Sequence, residues 1–528
     1  MSNGPDVIIL GGGHNGLTCA AYLARAGRSV LVLEARSRVG GAAVTEEFHP
    51  GFRNSLASYT VSLLNPKVIA DLDLHGHGLE IRNRPIGNFM PLDSERSLAT
   101  GTDLAGTQAE FARHSKRDAE ALPAYYDWLE RAASVLRDML LETPPNVGGG
   151  LLDLWRAGRL ANRLRKLPQH DQDAVFQLFT ASAADVLDGW FENPHIKALF
   201  GFDSIVGNFS TPYSGGSAYV LLHHVFGEVN GVSGAWGHAV GGMGAISESI
   251  AAAARAAGAE IRCDARVAEV LVKDGKVAGV RLEDGTEERA PIVSANVTPK
   301  RLLLDLLPAG TLPSEVQRRV ESTRYGSGTF RMNVALDRLP TFASRPAPGP
   351  HHSAGIIVAP TLDYMEQAYV DARREGWARE PIVEMLIPST LDDSLAPQGQ
   401  HVASLFCQHV SPQLPDGREW DEVRDTVARH MIDTVDRYAP GFADSVLGYM
   451  ALSPADLERK LGLTGGDIFH GALALNQLYS ARPMLGAANY RMPVTGLYLC
   501  GSGAHPGGGV TGVPGHNAAR EILRDRVG

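Results

Sequence analysis

Residues 7–41 read VIILGGGHNGLTCAAYLARAGRSVLVLEARSRVGG, and their order restricts the fold more than any other part of the chain. Val7 to Leu10 is a short apolar run, the pattern of a parallel strand buried on both faces. Gly11, Gly13 and Gly16 follow at once as G-x-G-x-x-G. Asn15 to Ala26 is rich in alanine and leucine and predicts a helix, with Gly27 as its stop. Ser29 to Leu33 predicts a second strand, ending at Glu34. Strand, glycine turn, helix, strand and acid, in that order, predict a fold that holds an adenine dinucleotide. Gly11 permits the tight turn, Gly13 lets a pyrophosphate approach the backbone, and Gly16 lets the helix pack on the strand. The helix N-terminus around Asn15 offers free N–H groups and a positive dipole end to the phosphates. Glu34 can accept hydrogen bonds from both ribose hydroxyls and would repel a 2′-phosphate.

The far end of the chain repeats the same physical device. Leu497 to Cys500 predicts a strand, Gly501 to Gly509 a glycine-rich turn that opens with Gly501-Ser502, and Gly512 to Leu523 a helix with Val513 in its first turn. A glycine loop between a strand and a helix N-terminus suits a negatively charged group. In between, Ala245–Ala257 predicts a helix. Strands are expected at Glu260–Cys263, Val267–Val272, Val277–Leu282 and Ile292–Ser294, with turns at Asp274-Gly275 and Asp284-Gly285. This is a small β-meander that returns to a parallel sheet. The nucleotide domain is therefore expected to be discontinuous, built from residues 1–70, 232–310 and 488–528. Residues 71–231 and 311–487 carry no nucleotide motif and no repeat, and are expected to form a substrate-binding and lid domain.

A chain of 528 residues is too long for one typical core, which agrees with two domains. Its formal net charge of −10 argues against nucleic-acid binding. Cys19, Cys263, Cys407 and Cys500 form no C-x-x-C pair, and the histidines show no metal-ligand spacing. The adjacent pairs His223-His224 and His351-His352 would not face one point on a strand or helix. No serine elbow and no second dinucleotide motif appears. No apolar run reaches the roughly 18 residues of a membrane span, and the nucleotide motif starts too early for a leader, so a cytoplasmic location is expected. Asp118 to Leu141 predicts a long helix. The segment LLDLWRAGRLANRLRKL, residues 151–167, predicts another, with Leu151, Trp155, Leu164 and Leu167 on one face and five basic residues elsewhere. Two readings of it stay open: a helix lying on an anionic membrane surface, giving peripheral membrane contact, or a lid helix packed on its own domain.

The segment EARSRVGGAA, which contains Glu34, Ala35, Arg36, Gly40, Gly41 and Ala42, resembles the second FAD signature of the amine oxidase and phytoene desaturase superfamily. With GGGHNGLTCAAYLARAG, GGAAVTEEFHPGF, RNSLASYTVSLLNP and LYLCGSGAHPGGGVTG, the resemblance to phytoene-desaturase-like flavoproteins, with desaturase-like β-carotene ketolases as a related branch, spans in effect the whole chain. It departs from the bacterial phytoene desaturases at Ala42, where they generally carry arginine. The resemblance implies a Rossmann-type α/β FAD-binding domain with an α+β substrate domain, and FAD as cofactor. In that family the 35–42 loop wraps the pyrophosphate, Val267 stands where the adenine is clamped, and Gly501, Ser502, Gly512 and Val513 stand beside the flavin. It also implies hydride transfer from a hydrophobic, isoprenoid-like small molecule to flavin N5. His505 lies in the turn that the family brings beside the flavin; it is either a proton acceptor or a loop-holding residue. A flavin amine oxidase and a flavin-bound protein with little turnover are the alternatives.

Overall fold

The computed structural model describes residues 4–525 of the chain. Its nucleotide-side sheet has five parallel strands in the spatial order Glu260–Arg262, Val30–Leu33, Val7–Leu10, Ile292–Ala295, Leu497–Leu499. Val7 pairs with both Val30 and Ile292, and Val293 pairs with Leu497. Every residue of the Val7–Leu10, Val30–Leu33 and Ile292–Ala295 strands is buried. That explains their unbroken apolar runs, since helices or loops cover both faces of such a sheet. The helix His14–Arg25 packs against the helices Gly244–Ala256 and Val513–Arg524, and alanine and glycine at the contacts let the backbones come close. A three-stranded antiparallel sheet, Val267–Lys273, Lys276–Leu282 and Glu287–Glu288, leaves and rejoins this unit. Its first turn places Asp274 at φ +51° and Gly275 at φ +74°, the geometry that Asp-Gly favours in a tight hairpin.

The second sheet has seven strands in the order Val446–Leu452, Phe330–Leu336, His401–Val410, Trp377–Leu386, Gly355–Val358, Asn88–Pro91, Ser97–Ala99. All neighbours are antiparallel except Gly355–Val358 with Asn88–Pro91. Its buried face packs the helix Trp420–Asp436 through Val427, Met431 and Val435. On the other side, helices between Lys116 and His223 build a separate apolar core around Tyr125, Phe191, Phe202 and Leu222. The fold is thus α/β on the nucleotide side and α+β on the other.

Two expectations are corrected. Leu164 and Leu167 are partly buried, whereas Leu151 and Trp155 face solvent, so these four residues do not share a face. At 100° per residue, Leu164 lies on the opposite side of the helix from Leu151. The helix itself spans Leu151–Arg165 and leaves Leu167 in the following turn. The second correction concerns His351 and His352, whose ring centroids lie 4.0 Å apart because the pair sits in a short 3₁₀ turn rather than on a strand or helix. No group of three metal-ligating side chains occurs among the described residues.

Candidate functional site

The C-terminal ends of the parallel strands open into a cleft of about 610 Å³, the place where open α/β sheets receive ligands. Gly11, Gly13, Glu34, Ala35, Arg36, Gly41, Ala42, Val267 and Ser502 line it. Gly16, Gly40, Gly501, Gly512, Val513 and Asn15 stand behind this lining and shape it. A Cβ at Gly16 would lie 2.2 Å from the Gly11 carbonyl oxygen, so only glycine lets the helix start there. The Gly40 N–H donates to Gly12 O at 2.9 Å, and Gly41, at φ +56°, rests its Cα region against Gly13. The 35–42 loop therefore folds back over the glycine turn. Asn15 Nδ2 donates to Ser502 Oγ at 3.1 Å, which ties the first helix to the C-terminal turn. Gly512, at φ +72°, precedes the helix that starts at the buried Val513.

Glu34 is buried, and both its oxygens are engaged: Oε2 accepts from the Gly12 N–H at 2.7 Å and Oε1 from the Arg36 N–H at 2.9 Å. Its carboxylate is therefore fixed at the end of the second strand. Asn296, one residue beyond the Ile292–Ala295 strand, was not singled out by the sequence. A Cβ at Gly13 would meet its Nδ2 at 2.8 Å. With its amide oxygen turned toward the glycine turn, it accepts from the Gly13 and Gly16 N–H groups at 3.2 and 3.3 Å. Gly13 is thus required by Asn296.

Several polar atoms here are buried without a partner: His14 Nε2, Asn15 Oδ1, Arg36 Nη1 and His470 Nδ1. Leaving such groups unsatisfied costs about 1–3 kcal/mol each. A dinucleotide, with its pyrophosphate, ribose and adenine edges, supplies acceptors and donors of the kind these atoms lack. The residues present therefore fit FAD. Burial lowers His14 to about 4, and burial with the Arg482 and His14 charges lowers His470 to about 3, so both imidazoles are neutral hydrogen-bonding groups at pH 7.

The other end of the cleft is lined by Ala57, Tyr59, Leu63, Val206, His224, Trp236, Ile468, Phe469, His470 and Val510. The loop carrying Phe469 and His470 is held by Arg482. This fully buried guanidinium donates to the carbonyls of Phe469, Gly471, Gln477 and Ser502. Tyr59 stacks on Phe406, with the Arg331 guanidinium 4.7 Å from its ring, and its hydroxyl donates to Glu384. Arg84 donates to Thr60 beside it. Burial raises the Glu384 carboxyl above the usual carboxylate range, and burial with the Glu384 charge pushes Asp203 up to about 8. Arg84, Arg331, Glu384 and Arg482 belong to no local motif, while Tyr59 lies within RNSLASYTVSLLNP.

His505 does not line the cleft. Its Nε2 hydrogen-bonds the Met139 carbonyl at 3.1 Å and its ring meets the edge of Tyr479, while burial lowers it to about 4. The four cysteines are free thiols.

Residues 16–329 match the family model described as flavin containing amine oxidoreductase. The chain is 43% identical to the pyridine nucleotide-disulfide oxidoreductase domain-containing protein 2 of Rattus norvegicus, over 98% of this chain and 93% of the relative. It is 25% identical to the lycopene-forming phytoene desaturase of Pantoea ananas, over 96% of each. A solved structure of putrescine oxidase bound to putrescine shares the fold, with a TM-score of 0.61 at 16% identity over 99% of each chain.

Proposed function

We propose that this chain, an FAD-dependent oxidoreductase that belongs to the flavin containing amine oxidoreductase family, removes a hydride and a proton from adjacent carbons of an apolar, isoprenoid-type small molecule. When bound, the flavin supplies the two-electron acceptor. Residues 1–70, 232–310 and 488–528 hold it, and residues 71–231 and 311–487 share the substrate contact with them through Val206, His224, Ile468, Phe469 and His470. Asn15, Glu34, Arg36 and Ser502 bind and orient the dinucleotide. Leu63, Val206, Phe469 and Val510 exclude water from the other end of the cleft. Tyr59, in the cleft wall, donates its hydroxyl to the Glu384 carboxyl behind it, and this pair is the proton acceptor we assign to the reaction.

The observation that carries this reading is the lining of the apolar end, whose named residues include no carboxylate. Arg84 and Arg331 flank Glu384, and Asp203, raised to about 8, is largely protonated at neutral pH. This cluster lies behind the cleft lining and presents no anion on it. An ammonium ion finds no carboxylate partner at that end, whereas a hydrocarbon needs none. The lycopene-forming phytoene desaturase among the relatives supports the same substrate class. Binding tests the reading. A linear isoprenoid hydrocarbon should perturb the flavin spectrum of the oxidised protein, and Phe469→Asp should weaken that binding roughly 10-fold or more. A long-chain primary amine binding more tightly than the hydrocarbon would favour amine oxidation instead.

A further inference from the structure

The helix Leu151–Arg165 turns Leu160, Leu164 and two paired arginines to the protein and the large apolar residues of its first turns to solvent. Its protein-facing side carries Arg156 and Arg163, paired with Asp153, Glu521, Asp138 and Glu142. Its solvent-facing side starts with Leu151, Leu154 and Trp155, exposed by 86%, 66% and 59%, beside Leu152 at 59% and Val147 at 64% in the preceding loop. No residue of this helix is buried. Large apolar side chains clustered in water, with only the exposed Arg159 guanidinium over the Trp155 ring, need a partner surface.

We propose that this face docks on an anionic lipid bilayer, with Leu151, Leu154 and Trp155 entering the acyl boundary and Arg165 and Lys166 contacting the headgroups. Arg165 and Lys166 lie on the same outward side, one turn or more beyond the apolar tip, are exposed, and form no ion pair among the described residues. An apolar tip followed by free cations is the pattern of a helix seated at a membrane interface. The net charge of −10 does not oppose this, because charges more than about 8 Å from the surface are screened at physiological ionic strength. A second copy of the chain fits less well. The patch of Val147, Leu151, Leu152, Leu154 and Trp155 falls far short of the roughly 20–30 residues per side that a stable protein interface uses.

The helix is presented rigidly. Just before it, the carbonyls of Leu140 and Leu141 accept from Asn517 Nδ2 and Arg520 Nη1 at 2.9 and 2.6 Å. Thr143 Oγ1 donates to Glu521 at 2.6 Å, and Asn146 Oδ1 accepts from the Ala488 N–H at 2.9 Å. The docking helix is thereby fixed to the C-terminal helix that borders the nucleotide side.

The test uses the purified flavin-loaded protein and sedimentation with vesicles of phosphatidylcholine, alone or mixed with phosphatidylglycerol. The protein should sediment with the mixed vesicles and much less with phosphatidylcholine alone. Leu151→Ser/Leu154→Ser/Trp155→Ser should leave it in the supernatant. Arg165→Glu/Lys166→Glu should reduce its partition into mixed vesicles roughly tenfold or more. Both variants alter exposed positions, so flavin content and melting temperature should match the parent. The proposal is overturned if the parent ignores mixed vesicles, or if the triple variant sediments like the parent. It is equally overturned if the parent is a dimer and the triple variant a monomer by ultracentrifugation with no vesicle binding, which assigns the face to a second copy.

Discussion

Glu34 Oε2 accepts the Gly12 N–H at 2.7 Å, so the acid that ends the second strand also braces the glycine turn. On the proposed function, one side chain thus serves the local fold and the ribose together. Glu34→Gln keeps an acceptor for one N–H, whereas Glu34→Ala leaves the Gly12 and Arg36 N–H groups without it. Glu34→Ala should lose roughly 1–3 kcal/mol of stability and most of its bound FAD. Glu34→Gln should lose less stability than Glu34→Ala, since one N–H keeps its acceptor, and lose FAD affinity by roughly 10-fold or more, because a neutral amide is a weaker acceptor for ribose hydroxyls. Flavin fluorescence titration with a parallel melt separates the two effects. Equal FAD affinity in parent and Glu34→Gln would remove the ribose role.

The Gly13–Asn296 contact yields a second prediction. Gly13→Ala places Cβ 2.8 Å from Asn296 Nδ2 and should destabilise the turn. Asn296→Ala in the same chain removes that clash. The double variant should regain the melting temperature of Asn296→Ala alone yet still bind FAD poorly, since the pyrophosphate needs the same space. Full flavin occupancy in the double variant would show that Gly13 serves Asn296 only.

His505 should prove a loop-holding residue. Its Nε2 contact with the Met139 carbonyl ties the C-terminal turn to the helix Lys116–Leu140. His505→Gln retains a donor and should leave substrate-driven flavin reduction within a few-fold of normal, while His505→Ala should lower the melting temperature and the flavin content. A drop of roughly 100-fold in reduction rate with FAD still bound in His505→Gln would instead mark a proton acceptor.

Burial fixes the sign of the acid response. His14, His224 and His505 are lowered to about 4, and His223, His409 and His470 to about 3. Each is neutral when folded and protonates near 6.5 when unfolded, so the unfolded chain binds more protons below that pH. Their stability contribution is complete above pH 6.5 and is lost as the pH falls toward 4. Asp203, raised to about 8, acts with the opposite sign but is outnumbered. Denaturation midpoints should therefore fall steadily from pH 6.5 to 4, and His409→Phe should flatten the slope. A midpoint independent of pH across this window would contradict the buried neutral histidines.

The nucleotide side was legible because its physics is local. Val7–Leu10, the three glycines and Glu34 lie close together in sequence, and each does in the structure what its residue type allows. The seven-stranded sheet was not legible, because its strands break the expected patterns. Phe330–Leu336 is buried throughout yet contains Arg331 and Asn333, and His401–Val410 carries buried Gln408 and His409. Their hydrogen bonds and ring contacts come from distant segments, as when Gln408 accepts from the Gly207 N–H. Glu384 and Arg482 were invisible for the same reason, and Tyr59 stood in a quoted motif without a role: their partners are tertiary. Asn296 had a local signal, a polar residue directly after a buried strand that points into the nucleotide turn.

On the proposed function, the flavin takes electrons from an apolar carbon skeleton rather than from an amine. The decisive measurement is anaerobic mixing of the oxidised protein with a panel of isoprenoid hydrocarbons and primary amines, followed at the flavin absorption band. At least one isoprenoid should bleach the flavin, Tyr59→Phe should slow that rate roughly 10-fold or more, and the amines should leave the band unchanged. Rapid bleaching by an amine, with every hydrocarbon inert, would overturn the proposal.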